Sequence, residues 1–337
     1  MSTNLTELEK RRLLRIAFGS CSGFFLCKLL GWPFGIFFTV FPMLLLGMLP
    51  RFDRLIAAQF LGSAVLNVVE VWLLYTFFAP YPPLMTLAVF AVFCWHFRLM
   101  ASTPYFLLGA AGLVTLSTLL HFSSYVSTNI MDMVATIGLA SLFSVVAAAV
   151  LYWLIPETET VAPPPRQNLT ASQINHRTLM GAILATLSFM VFQTLDLKDS
   201  LSAQVATMLV LFPMTYQGTL IAAWKRCQGV AYGCVLAIGV QLLLYDLISH
   251  LLLVVLALFI TVLMTAKLHL VERAGSGMGF GALTTVGILF GQYMQPHKDI
   301  LYGTAYRLTS VTVALLVLML FAYLLDGFLN RFELTRN

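Results

Sequence analysis

An all-α polytopic membrane protein, with about twelve transmembrane helices arranged as two parallel six-helix repeats, is what this sequence predicts. Three observations carry the prediction. The 337-residue chain is 60% hydrophobic and 10% charged, whereas soluble domains carry roughly 25% charged residues. Its apolar runs are long and continuous rather than alternating. In hydrocarbon, where backbone groups find no water, such runs form helices and not barrel strands. Third, Phe-Pro-Met occurs twice, at Phe41-Pro42-Met43 and Phe212-Pro213-Met214, 213 − 42 = 171 residues apart. The same offset pairs Gly47 with Gly218, Arg54 with Lys225, Gly62 with Gly233 and Glu70 with Gln241. Several matches at one offset point to an internal duplication.

The first half gives spans at about 12–30, 33–49, 55–78, 83–101, 104–121 and 131–155. The second gives about 178–195, 201–221, 227–246, 248–266, 278–294 and 304–328. Several are short against the roughly 20 residues a bilayer core requires. Residues 1–155 form the first six-helix repeat, 156–177 a linker and 178–337 the second repeat. The linker is polar and holds Pro163-Pro164-Pro165, so it reads as a semi-rigid cytoplasmic connector. Lys and Arg set the orientation. Lys10, Arg11, Arg12, Arg15, Arg51, Arg54, Arg98, Arg166 and Arg177 fall on one side, as do Lys225, Arg226, Lys267, Arg273, Arg331 and Arg336. The alternate connections hold only Lys28, Lys198 and Lys298, with Arg307 just inside the last span. The positive-inside rule puts both termini in the cytoplasm. Six spans per half is even, so the halves share one orientation and are related by an axis along the membrane normal.

The composition also excludes classes of function. Cys21, Cys27, Cys94, Cys227 and Cys234 show no metal-ligand spacing and read as small apolar residues. No cofactor or metal is expected. The basic balance reflects the helix ends, so no nucleic-acid partner is expected. No Walker A, HExxH or GxSxG motif is present, so no enzyme is expected. The glycine-rich run 275–281 follows no strand and suits close helix packing. The first apolar run follows a charged leader and passes straight into a second span, so no cleavable signal peptide is expected.

Glu70 stands out among the polar residues. It lies sixteen residues past Arg54, roughly 24 Å along a helix, in an otherwise apolar run. An intramembrane carboxylate is costly and is functional by default. Asn67, one turn earlier, is placed to hydrogen-bond it. The duplicate position, Gln241, keeps the polarity without the charge. Asp246, at an outer span end, is the second proton-coupling candidate. Asp132, Lys28 and His250 read as interfacial, and His96 and His121, near span ends, as satisfied interface residues. Pro42 and Pro213 fall near mid-membrane, where each frees a helix carbonyl. Such breaks, matched in two repeats, point to a transport site, although a packing kink is the alternative. Phe41, Pro42, Met43, Phe212, Pro213, Met214 and Tyr216 are therefore substrate-binding candidates. Arg307 either snorkels to the surface or pairs with a substrate carboxylate.

Three stretches together resemble the fusaric acid resistance/aromatic acid exporter superfamily. They are the basic start Arg11-Arg12-Leu-Leu-Arg15-Ile-Ala-Phe-Gly, Phe41-Pro-Met-x3-Gly47 running to Gly62, and Phe212-Pro-Met-x3-Gly218 running to Gly233. The resemblance implies proton-driven export of aromatic carboxylic acids or related drugs from a bacterial inner membrane. It also implies a periplasmic membrane-fusion adaptor and an outer-membrane channel as partners. Larger members carry a sizeable cytoplasmic domain that this sequence replaces with the short linker. A passive anion channel and a non-transporting membrane scaffold are the alternatives. Gly109-Ala-Ala-Gly112 is suited to a homodimer interface or to internal packing.

Overall fold

A computed structural model of the chain describes all residues except 1–4, 50, 124–128, 158–168, 196, 198–199, 245–246, 248, 274, 276, 294–299 and 337. The first half contributes α1 (Glu7–Leu30), α2 (Ile36–Met48), α3 (Arg54–Phe78), α4 (Pro82–Ser102), α5 (Phe106–Ser123) and α6 (Ile130–Leu154). The second contributes α7 (Ala171–Thr194), α8 (Leu201–Val210), α9 (Tyr216–Leu244), α10 (Leu251–Glu272), α11 (Met278–Tyr293) and α12 (Ile300–Leu329), with a 3-10 turn at Glu333–Thr335. Among the described residues, nine of these helices are long and apolar enough to cross a membrane, and α2, α8 and α11 are shorter. The protein is an all-helical, multi-pass membrane protein.

Local chemistry explains where the helices start. At α1 the Thr6 hydroxyl accepts the Glu9 N–H at 3.2 Å, and the Glu9 carboxylate accepts the Thr6 N–H at 2.9 Å. Thr170 and Gln173 repeat this capping box at α7, at 3.3 and 3.1 Å. Each box satisfies two otherwise orphaned donors. Both helices therefore begin several residues before hydropathy alone announces them.

The span expected at 201–221 is two elements. α8 stops at Val210 and a turn follows, with Met214 in the left-handed region at φ 56°. Pro213 has no N–H to continue the helix. The Thr215 hydroxyl accepts the Gly218 N–H at 3.2 Å and starts α9. α9 then runs through Lys225 and Arg226, where the sequence suggested a connection between spans. Lys225 is paired with Glu272 of α10 at 2.8 Å, and Arg226 is fully buried. Pro42 behaves differently and lies inside α2.

Two compact units are present, and each mixes both sequence halves. The first contains Met1–Ala57, Ala135–Pro164 and Lys225–Thr309. There α1 packs on α2 and α10, and α11 on α10 and α2. The second contains Ala58–Val134, Pro165–Trp224 and Ser310–Asn337. There α7 packs on α8 and α4, and α5 on α4 and α8. At the 171-residue offset, α1, α2, α4 and α5 correspond to α7, α8, α10 and α11. These four helix contacts thus recur in both units with the halves exchanged.

Candidate functional site

The candidate residues divide between the two units. Glu70, on α3 in the second unit, meets His96 of α4. The imidazole Nε2 lies 3.2 and 3.1 Å from the two carboxylate oxygens. His96 is wholly buried and Glu70 is 9% exposed. His96 is therefore not an interface residue but the partner of the intramembrane acid. Asn67 is buried one turn earlier. Its side-chain amide has no hydrogen-bond partner in the protein, so the contact expected between Asn67 and Glu70 is not made. His96 engages both carboxylate oxygens instead.

A glycine makes room for the pair. A Cβ at Gly112 of α5 would lie 2.8 Å from His96 Nδ1 and closer still to its Cε1. A Cβ at Gly109 would meet the His96 carbonyl at 2.7 Å. These two small residues serve packing of α5 on α4 inside the protomer.

Phe41, Pro42 and Met43 are buried in the first unit, and Met43 is completely enclosed. Pro42 removes the hydrogen bond to the carbonyl of Phe38, four residues back. That carbonyl abuts Gly23 of α1, where a Cβ would collide with it. The freed group is thus covered by a neighbouring helix backbone, in the arrangement of a packing kink. Met43 packs against Gly287 of α11, where a Cβ would lie 2.8 Å from its sulfur.

In the second unit, Met214 is buried, Phe212 and Tyr216 are half-buried and Pro213 is exposed. Phe212 lies edge-on to Phe106, with ring centroids 6.3 Å apart, and Tyr216 lies 6.1 Å from Tyr323. Arg307 belongs to the first unit. It is 3% exposed and donates to the Thr285 hydroxyl at 3.3 Å, so it does not snorkel out of the bundle. Gln241 is half-buried on α9. Asp246 lies outside the described residues.

The first unit also contains a cavity of about 270 Å³ at the end where α1 begins. Glu9, Arg12, Arg15, Glu157, His269 and Arg273 are its charged and titratable lining. Arg12 donates to the carbonyls of Leu46 at 3.3 Å and of Gly47, both in the last turn of α2. His269 Nε2 lies 2.9 Å from the same Gly47 carbonyl and donates to it. These contacts satisfy orphaned acceptors and complement the negative end of the helix dipole. Arg273 holds Glu9 at 2.9 and 3.1 Å. Arg15 reaches Glu157 at 3.3 Å and lies 3.8 Å over the Tyr152 ring. The sequence marked these arginines for membrane orientation, and Arg12 and Arg15 also for the family resemblance, but none of them as the lining of a cavity. Their enclosure depends on how α1, α2 and α10 pack, which no local spacing shows.

Comparison with known families gives two matches. Residues 12–151 match a family described as a protein of unknown function (DUF2955). Residues 184–321 match the family described as fusaric acid resistance protein-like. The starts are 184 − 12 = 172 residues apart and the ends 321 − 151 = 170, close to the Phe-Pro-Met offset. No curated protein and no solved structure matches the chain. Residues 184–321, which lie within α7 to α12 of this all-helical membrane protein, are thus similar to the fusaric acid resistance protein-like family.

Proposed function

We propose that the protein is a proton-coupled secondary exporter of aromatic carboxylic acids or related organic anions. The buried Glu70–His96 pair is the observation that carries this reading. A carboxylate and an imidazole in direct contact inside an apolar helix bundle offer two adjoining places for a proton. Imidazole is the side chain whose charge changes nearest neutral pH. Gain of one proton changes the net charge of the pair within the membrane, where charge is most costly. Alternating protonation is therefore a means of biasing one conformation over another. The fusaric acid resistance match and the absence of a nucleotide-binding motif both favour secondary export.

In this reading the basic helix ends face the cytoplasm of a bacterial inner membrane. A periplasmic membrane-fusion adaptor and an outer-membrane channel complete the route, because the external connections are too short to form a domain. Gln241 marks the position in the other half that does not titrate.

The test is efflux of an aromatic carboxylate measured in inverted membrane vesicles. Uptake driven by an imposed proton gradient and abolished by an uncoupler is expected. Uptake that an uncoupler leaves unchanged sinks proton coupling and favours a passive anion channel. No uptake above vesicles lacking the protein favours a scaffold.

A further inference from the structure

The cavity in the first unit has an unbalanced charge. Three guanidinium groups, Arg12, Arg15 and Arg273, face two carboxylates, Glu9 and Glu157. Arg273 is occupied by Glu9, and Arg12 by the end of α2. Arg15 is different. It is 1% exposed, and only Nη2 has a partner, Glu157 at 3.3 Å. Its Nε and Nη1 are buried without a hydrogen-bond partner in the protein.

A guanidinium stays charged at any pH a cell reaches. A buried donor left unmade costs ~1–3 kcal/mol, and more when charged. The guanidinium carbon lies 3.8 Å from the centre of the Tyr152 ring, a cation–π contact that holds the group against the ring. The cavity walls also include Leu8, Met48 and Leu270. Its volume of about 270 Å³ lies just below the roughly 300–1,000 Å³ of sites for drug-sized ligands. A ligand of one ring fits that scale, and a larger drug does not. An excess of one positive charge calls for a single negative one.

We propose that this cavity binds a small organic monoanion with an apolar body, its carboxylate held by Arg15 beside or in place of Glu157. Leu8, Met48 and Leu270 take the apolar part. Glu157 is an internal competitor: it occupies one Arg15 donor until the ligand carboxylate arrives. As the place where cargo is first held, the site rests on the export reading above. As a binding site it does not.

The experiment is titration of the purified full-length protein in detergent with benzoate, without any gradient. Benzamide, a neutral analogue, and inorganic phosphate are the controls. Benzoate is expected to bind, with benzamide and phosphate weaker by about tenfold or more, as one charge-assisted contact and one apolar surface each predict. Arg15→Met is expected to weaken benzoate binding by a similar factor. Glu157→Gln removes the competing charge and is expected to tighten it several-fold. Absent benzoate binding, benzamide or phosphate binding as tightly, or an unchanged affinity in Arg15→Met overturns the proposal. If Arg15→Met does not fold, Glu157→Gln decides: an equal or weaker benzoate affinity overturns it. Intact benzoate binding without gradient-driven efflux removes the export reading and leaves the site. Gradient-driven efflux without benzoate binding does the reverse.

Discussion

The His96 imidazole on α4 sits 3.1 and 3.2 Å from the two carboxylate oxygens of Glu70 on α3, out of contact with solvent. Two ionisable groups on different membrane helices thus lie within hydrogen-bond distance of each other. Removing one partner of a buried pair strands the other, at a cost of about 3–5 kcal/mol. We predict that His96→Ala lowers thermal stability by about that amount. Glu70→Gln, which keeps a hydrogen-bonding group of the same shape, lowers it far less. Thermal unfolding of both variants in detergent checks the difference. Equal losses contradict the pairing.

Gly112 limits the space behind the imidazole. A Cβ there would lie 2.8 Å from His96 Nδ1, well inside van der Waals contact. Gly112→Ala is predicted to displace His96 and to reduce gradient-driven transport as strongly as a His96 substitution. Overpacking of this kind also costs about 1–3 kcal/mol of stability. Transport and thermal melting measured on one preparation check both effects. Wild-type transport in Gly112→Ala contradicts the geometry.

Pro42 and Gly23 make a second linked pair. The carbonyl freed by Pro42 rests against Gly23. Pro42→Ala is therefore predicted to be well tolerated, because a continued helix needs no new partner for Phe38. Gly23→Ala drives a methyl group into that carbonyl and against Phe143, 2.9 Å away. A loss of about 1–3 kcal/mol is expected from such overpacking. The order of the two melting temperatures is the test, and a reversed order contradicts the assignment.

Arg12 holds two carbonyls of the last turn of α2, those of Leu46 and Gly47. Arg12→Met keeps an apolar stem and removes the donors. Hydrogen bonds to charged groups contribute about 1.5–3 kcal/mol, so a loss near the lower figure is expected because His269 still serves Gly47. Arg12→Met combined with His269→Leu should lose more than either alone. Melting of the three variants checks this.

The helical, multi-pass character was legible because bilayer physics leaves one backbone solution for long apolar runs. Glu70 was legible for the same reason, as a charge in such a run. His96 was misread, because its place between Glu70 of α3 and Gly112 of α5 depends on how the helices pack and not on any spacing in the chain. The boundary between α8 and α9 was also missed. Trp224-Lys225-Arg226 looks like a loop by charge, yet Lys225 is satisfied by Glu272 at the far end of the next helix, α10. Thr6 with Glu9 and Thr170 with Gln173 did carry readable start signals, since a Ser/Thr followed three residues later by Glu/Gln marks a helix N-terminus. The exchange of helices between the halves is a tertiary choice that the repeat alone does not specify.

Proton movement through Glu70 is the central claim. Its most direct test is the acid flux that an aromatic carboxylate gradient drives in proteoliposomes, read with an enclosed pH dye against protein-free liposomes. Wild-type protein is predicted to move protons above that baseline. Glu70→Gln, folded and inserted, is predicted to move none while still exchanging labelled carboxylate across the membrane. Undiminished proton flux in Glu70→Gln would contradict the account.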